Sequence, residues 1–297
     1  MTGLARAAAE TAAQAVEPTY DPPLRNCPLC GSGALRRFDR DHRGHTIDRC
    51  RACGIRFMNP QYTDRWLAHF YSAYVPAAGH DHDRSWRARP EIRRAAKRAG
   101  LELLAAHGCR GRILMGGCGD GVELQVAQEL GWVAEGQDVA PATAARVARR
   151  SGAVVHCMPF AELPLPEASF DAVFLDQVIE HPKDPAGMLR VAHRLLRPGG
   201  LLYLGQPNIG SLANGTKTLL GRLELRGRRR GRHYASQHHI FYYTPRVLCG
   251  LLRHQFGFEV LAVRGSPKQR GFSWLRALVE RAPCLDSSFV VLARKPG

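Results

Sequence analysis

Two kinds of residue grouping in this chain can do chemistry. The first is a pair of C-x2-C knuckles, Cys27-Pro-Leu-Cys30-Gly and Cys50-Arg-Ala-Cys53-Gly. Each knuckle presents two thiolates from one tight turn, and the glycine after the second cysteine eases that turn. Together they complete a tetrahedral four-sulfur site of the kind zinc satisfies, or iron in a zinc-type site. A site with four protein ligands has no open position, so a Zn2+ there is expected to be structural and to supply much of the local folding energy. His42 and His45 lie between the knuckles and read as surface residues rather than ligands. The second grouping is RILMGGCGDG, Arg112 to Gly121. A short apolar run is followed at once by a glycine-rich turn and then by the amphipathic stretch VELQVAQEL. This order of strand, turn and helix brings backbone close to a nucleotide-like ligand. A turn this short also suits an ordinary connection, so the rest of the chain must decide.

The elements that position these groups follow from hydrophobic period and punctuation. Residues 1–22 read as a tail, with no compact apolar core or cleavage site of a signal peptide. Residues 23–60 form the ribbon, with LRRF and HTIDRC as short strands. Residues 61–110 read as a helical linker or lid. Trp66, Leu67, Phe70, Tyr71 and Tyr74 recur there at helical spacing, and a helix runs from Pro90 to about His107. From 111 onward strands and helices alternate. WVAEGQD, AVVH, FDAVFLDQ and LLYLGQP are strands. ATAARVARR, DPAGMLRVAHRLL and RVLCGLLRHQ are helices, with RPGG at 197–200 stopping the second of them. FEVLAVRG and SSFVVLARK are late strands. Alternation with short links means an α/β fold with a mostly parallel sheet and helices on both faces. A loop-rich insertion occupies about 209–240.

The totals set limits on this reading. A chain of 297 residues can bury a sizeable core. No apolar run is long enough to span a membrane, and a cytoplasmic location is expected. The nine cysteines fit a reducing compartment better than a disulfide scaffold, because four have metal-ligand spacing and the others are scattered. The net charge of +16, nearly all from arginine, favours anionic partners. It reads equally as a solvated basic surface. One local concentration, Arg222 to Arg232, falls in the insertion.

In their order and distances these motifs resemble the class I S-adenosylmethionine-dependent methyltransferases. They are the turn at Gly117, Gly119 and Gly121, the acidic strand end at Asp138, Phe170-Asp171, IEHPKDP at 179–185, LLRPGG at 195–200, QPN at 206–208, and the late helix and strand pair. The knuckles followed by a Tyr-rich helix resemble a bacterial subset with an N-terminal zinc ribbon, similar to ubiquinone-type O-methyltransferases. The resemblance implies a doubly wound, seven-stranded, Rossmann-like sheet whose last strand inserts antiparallel. It implies S-adenosyl-L-methionine lying over the backbone of Gly117, Cys118, Gly119 and Gly121, with Asp138 on the ribose hydroxyls. Phe160 and Ala161 would line the adenine, and Asp176 and Gln177 would face the methionine end.

Methyl transfer needs proximity and orientation, with a general base where the nucleophile carries a proton. His239 is the first choice for that base, with His181 second and His238 third, and Glu180 is a further candidate beside His181. Tyr74, Tyr242, Tyr243 and Arg232 are the expected substrate contacts. The expected acceptor is a small or carrier-linked, anionic metabolite, with O-methylation first. Nucleic acid is a less favoured partner, because no aromatic stacking pattern accompanies the arginines. The rival readings are an RNA or protein methyltransferase and a cofactor-binding protein without methyl transfer. Two departures stand out. Met115 occupies the position where the family usually carries a carboxylate. Gln177 replaces the first glutamate of the E-x-x-E-H run associated with a divalent cation, so no magnesium site is expected.

Overall fold

The computed structural model describes residues 17–73, 90–223, 231–265 and 286–297. The ribbon comes first. Strands β1 (Leu35–Arg40), β2 (Thr46–Cys50) and β3 (Arg56–Met58) pair antiparallel. A fourth strand joins them from far along the chain, because β9 (Phe241–Tyr242) pairs with β3. The four-stranded sheet runs β1-β2-β3-β9.

Helices α1 (Asp64–Ala73) and α2 (Pro90–Ala106) follow the ribbon. On α2 the positions Gly100, Leu101 and Leu104 are buried, which is the i, i+1, i+4 face of a helix lying on a sheet. Gly100 is required there, since a Cβ would sit 3.0 Å from the Phe174 and Tyr203 rings.

The main sheet has seven strands in the order β10-β11-β8-β7-β4-β5-β6. Its members are β4 (Arg112–Gly116), β5 (Val133–Asp138), β6 (Val155–Cys157), β7 (Phe170–Asp176), β8 (Leu196–Pro207), β10 (Glu259–Gly265) and β11 (Ser288–Arg294). The five strands β6, β5, β4, β7 and β8 are parallel, and β11 enters antiparallel between β8 and β10. This is the Rossmann-like methyltransferase fold expected from the sequence. The interleaved helices are α3 (Val122–Glu129), α4 (Pro141–Ser151), α5 (Pro185–Leu195), α6 (Leu212–Arg222) and α7 (Pro245–His254).

The central strands read as continuous apolar runs because both faces are covered. One face carries Ile113, Met115, Phe174 and Tyr203 beneath α2 and α3. The other carries Leu114, Leu175, Leu204 and Phe289, and its core continues without a break into Ile47, Phe57 and Met58 of the ribbon. Two local expectations change. The RPGG run does not end in a turn but lies within β8, which starts at Leu196. The insertion is not all loop, since α6 occupies much of it.

Candidate active site

In an open parallel sheet the ligand crevice lies beyond the carboxyl ends of the strands, and the glycine turn sits there between β4 and α3. Two glycines are dictated by both conformation and space. Gly117 has φ +61° and a Cβ would meet Val178 at 2.9 Å; Gly121 has φ +79° and a Cβ would meet Val147 at 2.8 Å. The end of β5 holds the turn in place. Gly117 N–H donates to the Gln137 side-chain oxygen at 3.0 Å, and Cys118 N–H donates to the Gln137 carbonyl at 2.9 Å. Gly119 N–H donates to the Asp138 carboxylate at 2.9 Å. Gln137 also donates to the Met158 carbonyl at 2.6 Å, tying the loop after β6 to the same point.

Asp138 completes this shelf. Its other oxygen accepts from Ala140 N–H at 2.9 Å, at the start of α4. Burial raises its pKa above the usual carboxylate value, and the backbone N–H groups only partly offset that. Each oxygen keeps capacity for a second hydrogen bond. The shelf fits a ribose over a glycine cradle.

Lys97 enters from α2. Its ammonium lies 2.9 Å from Asp176 Oδ2 and 3.5 Å from Glu123 Oε1. Burial works against its charge, but Asp176 and Glu123 outweigh it and hold the lysine pKa up. Arg93 bonds Asp120 beside this trio. Met115 is fully buried in the apolar cluster. The carboxylates near the turn are therefore Asp120, Glu123 and Asp138, and the end of β4 supplies none. Sequence reasoning missed Gln137, Lys97 and Glu123. The available signal was Lys97 on the same helical face as Gly100, Leu101 and Leu104.

Several expected contacts need correction. Phe160 is 2% exposed and packs under Gly116, so its ring does not face the crevice. Ala161 lies next to it in a short 3-10 turn, within packing distance of Gly187 on α5. The Cys118 side chain is buried against Gly136, its thiol pushed up by burial, which leaves its backbone for the turn. Tyr242 and Tyr243 are buried, with hydroxyls donating to the His239 carbonyl at 2.9 Å and the Ile179 carbonyl at 3.4 Å. Their hydroxyls are bonded within their own segment and to the loop after β7, and both rings are buried. Tyr74 and the Arg232 side chain lie outside the described residues. Gln177 has φ +63°, uncommon for a non-glycine residue, and donates its N–H to the Gly205 carbonyl.

The three candidate catalytic groups do converge. Ligand-type atoms of Glu180, His181 and His239 lie within 4.8 Å of one another. Glu180 Oε1 is 3.9 Å from His181 Nε2 and 4.0 Å from His239 Nε2. His181 Nδ1 bonds the His238 carbonyl at 2.9 Å, which turns its Nε2 toward Glu180. The backbone N–H groups of Ile240 and Phe241 donate to the Glu180 carbonyl, bringing the two segments together. From α1, Phe70 stacks on His238 and Tyr71 meets His181 edge-on. Such a group can move a proton, and its donor types are also those of a divalent metal site.

The knuckle sulfurs converge as well. Cys27 and Cys53 are 3.7 Å apart, Cys30 and Cys50 are 3.5 Å apart, and all four lie within 4.8 Å of one another. Four thiolates around zinc at about 2.3 Å would be separated by about 3.8 Å. A hydrogen bond from Cys53 lowers the Cys27 pKa, the direction that favours a metal-binding thiolate.

A family model described as a methyltransferase domain matches residues 82–263, more than half of the chain. A "probable S-adenosylmethionine-dependent methyltransferase" of Mycolicibacterium smegmatis is 39% identical over 117 residues, which is 39% of this chain and 46% of that protein. A ubiquinone biosynthesis O-methyltransferase of Ruegeria pomeroyi is 33% identical over 159 residues, 52% of this chain and 62% of that protein. These matches therefore span less than two thirds of either relative. Among solved structures, the Burkholderia thailandensis 1,6-didemethyltoxoflavin-N1-methyltransferase with bound S-adenosylhomocysteine superposes with TM-score 0.53 at 21% identity. That match covers 85% of this chain and 96% of the other, and it shows the fold alone.

Proposed function

The chain belongs to the methyltransferase-domain family, and from that premise we propose that it transfers a methyl group from S-adenosylmethionine to a small or carrier-linked anionic metabolite, an oxygen being the first choice of acceptor atom. The observation that carries this reading is the shelf at the carboxyl ends of β4 and β5, where the glycine cradle is hydrogen-bonded to Gln137 and Asp138. The O-methyl preference rests on the similarity to ubiquinone-type relatives.

Bound S-adenosylmethionine would supply an electrophilic methyl on a sulfonium. The chain's own residues do the rest. The Gly117–Gly121 backbone and Asp138 bind and orient. Asp176, with Lys97 and Glu123, forms the polar wall toward the amino-acid end. His239, or His181 beside it, takes the proton of the acceptor hydroxyl at Nε2. Glu180 sets a negative charge next to the proton so gained. Cys27, Cys30, Cys50 and Cys53 would hold Zn2+ in a closed structural site. The chain's excess positive charge suits an anionic acceptor.

Calorimetric titration with S-adenosylmethionine, together with turnover, tests this reading. Binding is expected for the native chain. Asp138→Ala should weaken it at least tenfold, and His239→Ala should abolish turnover while leaving cofactor affinity alone. No binding at millimolar cofactor would overturn the whole reading, whereas full activity in His239→Ala would remove only that base. The rival of a binding protein without transfer predicts normal affinity and no turnover with any acceptor.

A further inference from the structure

The turn that carries His238 and His239 is fastened on one side to the ribbon, from the other end of the chain. Tyr234 donates its hydroxyl to Asp39 at 2.8 Å, and Arg43 donates to the Gln237 side-chain oxygen at 2.7 Å. Ser236 donates its hydroxyl to Asp41, and its carbonyl accepts from the Tyr62 hydroxyl at 2.9 Å. Past the histidines, the Ile240 carbonyl accepts from Met58 N–H at 2.8 Å. Anchors therefore stand on both sides of a short span. Ser236 and Ile240 are fully buried, and Gln237, His238 and His239 between them are half-buried. The span is a tight turn, because His238 and His239 N–H both donate to the Ala235 carbonyl, at 3.2 and 3.1 Å. Ala235 itself has φ +48°, in the left-handed region that a Cβ disfavours. Such a conformation persists where the surroundings over-determine it. The chain enters the turn hard against the ribbon, since a Cβ on Gly231 would lie 2.5 Å from the Asp41 Cα.

We propose that Asp41 and Ser236 are a positioning pair for the proton-accepting histidines, fixing from the ribbon the turn that presents His239 to Glu180. The inference rests on the reading of this histidine group as the base. Asp41 closes the loop between β1 and β2, where it also accepts from Arg43 N–H, His45 N–H and the His45 ring. Its bond to Ser236 leaves the ribbon, so a carboxylate already fixed by local donors holds the serine. Apolar contacts would serve a ribbon that needed stability alone. A buried polar network adds one specified arrangement. Proton abstraction needs that specification, because a displacement of about 1 Å can cost about a hundredfold in rate. On its far side the turn meets the main domain. The Glu180 carbonyl accepts from Ile240 and Phe241 N–H, and the His181 ring bonds the His238 carbonyl. His239 thus sits between the ribbon and the loop that carries Glu180, and the ribbon becomes part of the active site without contributing a reacting group.

The test is the contact between the His239 and His181 rings, whose centroids are 5.0 Å apart. It is read as a through-space NMR cross-peak in the zinc-loaded full chain labelled at histidine, with signals assigned from His239→Gln and His181→Gln. Ser236→Thr and Ser236→Val add equal bulk at a fully buried site, and only threonine keeps the hydroxyl. The threonine variant should retain the cross-peak and the valine variant should lose it. Ser236→Ala, which cannot overfill the site, should lose it as well and decides the matter if threonine does not fit. Ile55→Val weakens the buried core of the ribbon away from the turn and should retain the peak. All spectra are taken well below the melting temperature, so that loss of the peak reports displacement and not unfolding. S-adenosylmethionine affinity by calorimetry should be unchanged in Ser236→Ala, since the glycine shelf lies outside this network. An intact cross-peak in Ser236→Ala would overturn the proposal and leave the reading of His239 as base standing. Loss of the peak in Ile55→Val would show that any loosening of the ribbon displaces the histidines, and loss of peak and cofactor affinity together would show collapse of the whole site; either would overturn a specific role for the pair. Full turnover in His239→Ala would remove the base and leave this readout unaffected.

Discussion

Two aspartates, buried Asp41 in the ribbon and half-buried Asp138 at the glycine turn, show how differently this molecule treats a carboxylate. Asp41 is 5% exposed. It accepts hydrogen bonds from Arg43 N–H at 2.9 Å, His45 N–H at 2.7 Å, the His45 ring at 3.0 Å and the Ser236 hydroxyl. Burial would raise its pKa, but the His45 and Ser236 bonds outweigh burial and hold it below the usual value. Asp138 accepts two backbone N–H groups, and burial leaves its pKa raised. A carboxylate used as scaffold is saturated by donors. One bonded only to two backbone N–H groups keeps open acceptor capacity, which is what a ligand would need.

The comparison breaks first if the ribbon does not need its metal. Among structural zinc sites, binding is worth on the order of 10 kcal/mol and is inseparable from folding. We expect one zinc per native chain by elemental analysis. Cys50→Ser should lose that zinc and the hydrogen-exchange protection of residues 35–58, while β4, β7 and β8 stay protected. Protection retained over 35–58 in the zinc-free variant would show that the apolar contacts of Ile47, Phe57 and Met58 suffice.

At the turn the largest effect belongs to Lys97. Its removal leaves Asp176 and Glu123 facing each other with little solvent, and breaking such a buried pair costs about 3–5 kcal/mol. Lys97→Met should therefore lower thermal stability markedly, whereas the Arg98–Glu129 pair on the same helix is more than a third exposed on both sides and should matter far less. Equal effects at Lys97 and Arg98 would show that the trio is not coupled.

How much of this was legible in sequence differs between the two regions. The parallel sheet was readable because each strand is an apolar run bounded by glycine, proline or a helix cap, as in RILMG and FDAVFLD. The four-sulfur knot was readable because its ligands sit at fixed spacing within two turns. The convergence of Glu180, His181 and His239 followed from family resemblance rather than from spacing. The pairing of β3 with β9 was not legible, since a two-strand match between residues 56–57 and 241–242 leaves no local pattern. That pairing buries Tyr242 and Tyr243, which sequence reasoning had placed on the substrate.

The smallest expected effect separates the two aspartates by sign. Asp41 has a depressed folded pKa, so its stabilisation is present above its unfolded value near 3.8 and is lost as pH falls through the folded pKa. Asp41→Asn should thus cost about 1–3 kcal/mol at pH 7, and that difference should shrink as the solution is acidified. Asp138 has a raised folded pKa, so its contribution is present below its unfolded value near 3.8 and is lost as pH rises through the folded pKa. Without cofactor, Asp138→Asn should be neutral or stabilising at pH 7, with the gap closing toward pH 3. Thermal melts of the two variants and the native chain from pH 3 to pH 7 check both slopes. If Asp138→Asn destabilises the apo protein at pH 7 as Asp41→Asn does, Asp138 is a scaffold residue, and the shelf beside the glycine turn is not held in reserve for a ligand.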